Sequence, residues 1–227
     1  MNAGEKQRAP WIVGVSGASG TPYAAAVLRA LIAAGESVDL VVSRASRLTL
    51  LDETGISFRD AHWRDDLGAW LARGADGKPD TFAPALDDVR YWNPGDLAAG
   101  PSSGSYPVKG MLIVPASTEC VAGVALGLSK DLLQRAASVT LKERRKLVVA
   151  VRETPLNGQT LRHLVALDDA GASVVPASPG FYAGATHIQD LVDFVAGRVL
   201  DAAGVEHGLY RRWKGELGGG AAPAPTR

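Results

Sequence analysis

The chain has almost no cysteine. Cys120 is its only one, so no internal disulfide framework can form, and a reducing, cytoplasmic compartment is the simplest expectation. Excess charge of either sign is missing as well: 24 Lys+Arg stand against 24 Asp+Glu. Partners bound through overall charge, nucleic acid first among them, are not expected, although a local basic site stays open. The four histidines are His62, His163, His187 and His207. None pairs with another at metal-ligand spacing, and HExxH and CxxC do not occur, which leaves a zinc enzyme without support. No apolar run approaches the roughly 20 residues that span a bilayer, so no membrane insertion is expected. The opening MNAGEKQRAP carries charges with no apolar stretch behind it, so no secretory signal is expected either.

What is present suits one α/β domain. A chain of 227 residues with 46% hydrophobic content can build a substantial core, burying roughly 70% of its unfolded surface. Residues 1–10 read as a loose arm, 11–213 as a single domain without a linker, and 214–227 as a disordered Gly/Ala/Pro-rich tail. Trp11 to Ser16 (WIVGVS) reads as a strand, followed by the loop Gly17-Ala18-Ser19-Gly20. A helix then starts with Thr21 as cap and Pro22 in its first turn, with Val27, Leu28, Leu31 and Ile32 on one face and Gly35 as the stop. SVDLVVS, residues 37–43, is the next strand, completing the β-loop-α-β unit of parallel sheets. MLIV (111–114), LVVAV (147–151) and SVVP (173–176) read as strands buried on both faces. Helical spacing places Leu161, Leu164, Val165 and Leu167 on one side, and Leu191, Val192, Val195, Val199 and Leu200 on another. The stretch from Phe58 to Pro107 is the least regular; a short helix near Asp65–Arg73 and a strand near Val89–Trp92 are expected there.

Ligands of open α/β sheets sit at the carboxyl ends of the strands. The residues that follow each strand are therefore the candidates: Ser16 to Gly20, Ser43-Arg44, Pro115 to Cys120, Arg152-Glu153, and Ala177 to Tyr182. Small residues, hydroxyls and charges of this kind suit a phosphate-bearing ligand. Gly14, Gly17 and Gly20 form GxxGxxG, which is neither the dinucleotide GxGxxG nor a P-loop. The loop can present backbone N–H groups to a phosphate at the helix N-terminus, or it can simply turn the chain. No acidic residue ends the second strand; Ser43 stands there, which favours a mononucleotide such as FMN over NAD. Ser117-Thr118 can cap a helix or bind the flavin. Cys120, at a helix start, is either a nucleophile or a small buried residue. Arg152-Glu153 is either an acid/base pair at the edge of a dry site or a structural ion pair. The run Lys142 to Lys146 is a solvated helix end or a source of phosphate contacts, and Arg135 and Arg198 have the same two readings.

Taken together, GVSGASGTPYA, the PAST segment, LLQRAASVTLKERRKLVVAVRETPL and PASPGFY with IQDLVDFVAGRVLD resemble the UbiX/Pad-type flavin prenyltransferases. The resemblance runs from about Ile12 to Trp213, and LKERR, VRE and PGFY in combination are its most specific part. It implies a Rossmann-like, flavodoxin-related parallel sheet with helices on both faces, a three-layer α/β/α fold. It implies transfer of a dimethylallyl group from dimethylallyl monophosphate or diphosphate to reduced FMN, with bonds at N5 and C6 and no metal. The product, prenylated FMN, serves UbiD-type decarboxylases, and members assemble as trimers within dodecamers.

Carried over by position, the resemblance assigns Gly17, Ala18, Ser19, Ser43, Ser117, Thr118, Glu119, Cys120 and Arg152 to FMN. Lys142, Arg152, Tyr182 and Arg198 fall on the prenyl phosphate, with Arg135 reaching the site across a subunit boundary and Ser103 in a serine-glycine loop above it. Glu153 matches the acid/base, Ser19 a proton relay, and Glu53 a carboxylate on the flavin side. Leu97 and Glu119 depart from residues common in the family and bear on pocket shape. A cysteine-decarboxylase-type flavoprotein is the nearest alternative, but the helix after GASG has no histidine and the motif reads PAST. A non-catalytic FMN-binding subunit of a decarboxylase is the other.

Overall fold

The computed structural model describes residues 8–79, 85–213 and 215. Among them are six strands and seven α-helices. The strands are β1 (Trp11–Val15), β2 (Val38–Val42), β3 (Val89–Trp92), β4 (Gly110–Ala116), β5 (Lys146–Val151) and β6 (Ser173–Pro176). The helices are α1 (Thr21–Ala33), α2 (Arg44–Thr54), α3 (Trp63–Leu71), α4 (Thr118–Ala125), α5 (Leu132–Lys142), α6 (Gly158–Asp169) and α7 (Ile188–Ala203). Every strand pair is parallel, in the order β3-β2-β1-β4-β5-β6. The chain winds outward one way from β1 and the other way from β4, the doubly wound Rossmann arrangement. The expected α/β/α architecture is borne out.

The strand sequences explain the layers. A parallel strand under helices on both faces must be apolar throughout, and β1, β2 and β4 are buried along their whole length. Alternate residues divide between two cores. Val13, Val15, Leu40, Leu112 and Val148 meet α1, α3 and α7 on one face. Ile12, Val41, Met111, Ile113 and Val149 meet α4, α5 and Leu167 of α6 on the other. Each fully buried leucine or isoleucine contributes about 2 kcal/mol relative to an exposed one.

Three expectations need correction, and one helix was not anticipated. SVVP forms β6, but as an edge strand it is only half-buried and Pro176 is exposed. On α6 Leu167 is the one apolar residue that is fully buried, while Leu161 and Val165 are exposed at 49% and 60%; the apolar spacing is real but nothing among the described residues covers it. Thr21 does not cap α1: Gly20 holds the N-cap position at φ 115°, a left-handed conformation that favours glycine. The segment after Ser43 is α2, whose RASRLTLLDET pattern buries only Ser46 and Leu50.

The helix and strand expected in the irregular stretch are both present. Arg59 pairs with Asp66 at 2.6 Å, and Arg47 with Asp60 at 2.6 Å, which ties α3 to α2. Residues 93–109 then cross the α5 face, where Leu132 N–H donates to Pro94 O at 2.8 Å. Of the arm, Arg8 to Pro10 are described, and Pro10 O accepts from Lys109 N–H at 2.9 Å. Residues 1–7 of the arm, residue 214 and residues 216–227 of the tail lie outside the described residues. Among the described residues no helix is long and apolar enough to cross a membrane.

Candidate active site

The winding reverses between β1 and β4, and this is where the loops part to admit a ligand. Ser16 closes the floor of that crevice. Its hydroxyl donates to Pro115 O at 2.8 Å and accepts from Ser117 N–H at 2.7 Å, and the residue is 2% exposed. One buried hydroxyl thus fixes the loop after β1 to the loop after β4. The sequence offered only a serine ending an apolar run, which says nothing of a partner some hundred residues away.

The Gly17–Gly20 loop is held from α2. Gly17 lies so close to that helix that an added Cβ would stand 2.6 Å from Ala45 Cβ. The Glu53 carboxylate accepts from Gly20 N–H at 2.9 Å, Thr21 N–H at 2.8 Å and Thr21 Oγ1–H at 2.6 Å, and from the Ser19 hydroxyl. Burial pushes Glu53 up, but these donors outweigh it and hold the carboxyl below its ordinary value. The anion at the N-terminus of α1 is therefore a side chain of the protein. The first-turn amides of Gly20 and Thr21, expected to meet a phosphate, are already engaged. Ser43 is buried and caps α2, accepting from Ser46 N–H at 3.1 Å. Ala18 is buried as well, while Ser19 stays exposed.

At the end of β4, Ser117 caps α4 by accepting from Cys120 N–H at 3.2 Å. Cys120 is 2% exposed, and burial, with Asp131 and Glu119 adding to it, pushes its thiol far up. Of its two readings, the small buried residue is the one this burial supports. Glu119 turns away toward α5, where Gln134 Nε2–H donates to it at 3.0 Å and Lys130 pairs with it at 3.4 Å. Of the four residues matched to FMN here, Ser117 and Thr118 remain half-buried at the crevice.

Arg152 follows β5 and lies over the first loop: its Cγ is 3.8 Å from where a Cβ on Gly20 would be. The charges of Arg152 and Glu53 both act on the Tyr23 phenol, whose pKa burial raises. Arg152 Nε is buried without a hydrogen-bond partner. A buried donor left unmade costs about 1–3 kcal/mol, so this guanidinium suits an anion or a ring acceptor entering the crevice. Glu153, next to it, is exposed and accepts from Thr154 N–H at 2.9 Å.

The residues matched to the prenyl phosphate fall into two groups. Tyr182 and Arg198 lie together above the α7 layer. The Tyr182 ring meets Phe194 edge-on at 5.5 Å, and its phenol lies close enough to act on the Arg198 guanidinium. Arg135, Lys142 and Ser103 lie on the α5 face. Arg135 Nε–H donates to Ser102 O at 3.1 Å, and Lys142 pairs with Glu143 directly over Gly104. Lys142 precedes β5 and Arg152 follows it, so they sit at opposite ends of a strand of six residues, about 20 Å long. Within one chain the two groups do not meet.

The similarities of the chain follow this geometry. A family model described as Flavoprotein matches residues 2–200. The flavin prenyltransferase UbiX of Streptomyces coelicolor is 89% identical over 210 residues, covering 92% of this chain and 97% of that protein. UbiX of Synechocystis is 41% identical, covering 92% and 98%. A crystal structure of AnUbiX in complex with FMN and dimethylallyl pyrophosphate superposes with a TM-score of 0.78 at 34% identity, covering 92% of this chain and 99% of that one. A dodecameric FMN-dependent UbiX-like decarboxylase from Escherichia coli gives 0.76 at 37%, covering 91% and 100%.

Proposed function

The chain belongs to the UbiX-type flavin prenyltransferases of the Flavoprotein family, and from that premise we propose how its side chains carry a dimethylallyl group from a dimethylallyl phosphate to reduced FMN. The observation that carries the reading is Arg152, whose Nε is a buried donor without a partner beside an exposed carboxylate at the point where the sheet reverses. Reduced FMN, when bound, supplies the nucleophilic positions N5 and C6.

Ser43, Ser117, Thr118 and Arg152 hold the flavin, and Glu53 and Ser16 keep their loops in register. Arg152, Tyr182 and Arg198 from one copy, with Lys142, Arg135 and Ser103 from another, surround the donor phosphate. Departure of that phosphate concentrates negative charge, and preorganised cations stabilise it without reorganising. Glu153 takes up the proton released as the new ring closes, or passes one to the leaving phosphate, with Ser19 as relay. An allylic cation is captured by any water that reaches it. Glu153, Tyr182 and Arg198 are all exposed in the single chain, so a neighbouring copy must also serve as the wall.

Three further points belong to this reading: 11–213 acts as one domain, the enzyme works in the cytoplasm as a dodecamer, and its product serves a UbiD-type decarboxylase. The test is anaerobic incubation with reduced FMN and dimethylallyl monophosphate or diphosphate, followed by mass analysis of the flavin. Wild-type protein adds one prenyl unit, and Glu153→Gln binds FMN but forms no product. No mass gain with either donor, or full product formation by Glu153→Gln, contradicts the reading.

A further inference from the structure

Asp201, near the end of α7, gathers more donors than any single contact requires. Its carboxylate accepts from Arg198 at 3.0 Å and Arg212 at 2.8 Å, and from the Tyr210 hydroxyl. His207 Nε2 stands 3.1 Å away, and since Leu209 N–H donates to His207 Nδ1 at 3.2 Å, the neutral ring carries its proton on Nε2 and donates it to Asp201. Burial pushes the Asp201 carboxyl up, but Arg212, Tyr210 and His207 hold it down at about 2. The segment from His207 to Trp213 can lie flat on α7 because position 197 is glycine: a Cβ there would be 2.5 Å from the Tyr210 ring and 2.6 Å from His207. Tyr210 then packs on Phe194 at 4.9 Å, and Trp213 meets Tyr182 edge-on at 6.1 Å.

We propose that Asp201 is a positioning residue for the prenyl donor: it aims the Arg198 guanidinium and fastens the His207–Trp213 segment against Tyr182. This rests on the reading of Arg198 and Tyr182 as donor-phosphate ligands. The charge balance favours it. Two guanidiniums share one carboxylate, so the cluster keeps a net positive charge toward the phosphate while losing the freedom of its longest side chain. A lone Arg198 on an exposed helix face would have to be ordered by the donor itself, which weakens binding.

The experiment compares Asp201→Asn, Asp201→Glu and Arg198→Ala in steady-state prenylation with dimethylallyl monophosphate, alongside FMN titration and limited trypsinolysis. Asp201→Asn turns a donor toward the Arg198 and Arg212 donors. It should raise KM for the donor about tenfold with kcat within threefold of wild type and FMN affinity unchanged. Asp201→Glu should recover part of the KM, and trypsin should cut at Arg211 or Arg212 faster in the Asn variant than in wild type. A wild-type KM in Asp201→Asn, with a raised KM in Arg198→Ala, overturns the positioning role alone. A wild-type KM in Arg198→Ala overturns the donor site on which it rests. Should Asp201→Asn not fold, Tyr210→Phe removes one of the same bonds without adding charge; a threefold higher KM supports the role and an unchanged KM overturns it.

Discussion

Glu53 is matched by resemblance to the flavin side of the pocket, yet its carboxylate is spent on the first turn of α1. Replacing it with alanine tests whether it fastens the loop. Four donors lose a common acceptor: Gly20 N–H, Thr21 N–H and the hydroxyls of Thr21 and Ser19. A lost cap costs about 1 kcal/mol, and the lost charge at the helix N-terminus about 0.5 kcal/mol. Water reaches these groups, since Glu53 is exposed, so the sum stays at about 1.5 kcal/mol and not the larger figure for buried charges. For a chain of this length that is a fall in Tm of about 3–6 °C. Glu53→Gln keeps an acceptor oxygen and should lose about half as much. FMN affinity should fall about fivefold in the alanine variant, as the Gly17–Gly20 loop loosens by roughly 1 kcal/mol. The folded pKa of Glu53 lies below its free value of 4.5, so its contribution is complete above pH 4.5 and fades as pH falls through the folded value. Thermal melts from pH 7 to pH 3 should therefore show the gap between wild type and Glu53→Gln closing toward the acid end. Equal Tm values at pH 7, or a gap of constant size down to pH 3, refute the fastening role.

Gly17→Ala drives a methyl against Ala45 Cβ, a contact with no flexible end to yield, so a loss of about 1–3 kcal/mol by urea unfolding is expected. Gly104→Ala instead meets the ends of Lys142 and Glu143, which can swing away; stability should hold while KM for the prenyl donor rises, as steady-state assays will show. Native protein should resist iodoacetamide at pH 8, because Cys120 is buried and its thiol pKa is raised; labelling should appear only after unfolding, as mass spectrometry will report.

The sheet was legible because continuous apolar runs leave a parallel strand little alternative. Leu112 and Val148 lie in one core and Met111 and Val149 in the other, as burial on both faces demands. α2 was not legible, since a helix that buries only Ser46 and Leu50 carries almost no periodic signal. The exposure of Leu161 and Val165 was equally hidden: apolar spacing names a face without saying what covers it. Strand ends pointed to the right edge for Arg152, Ser43 and Ser117. The partners of Ser16, Glu53 and Asp201 lie beyond any local window, being made by the turn of the winding or by a segment folding back on α7. Nor does linear order say on which face of a sheet a helix falls, so Lys142 and Arg198 could be matched to one phosphate while lying on different faces.

On the proposed reading, that division makes each catalytic centre a joint holding. If the donor needs Lys142 and Arg198 together, as proposed above, it is served only where two copies abut, and a single copy does not act alone. Two inactive variants, one lacking Lys142 and the other Arg198, should restore each other when unfolded and reassembled as a mixture, since about a quarter of the junctions then inherit both intact halves.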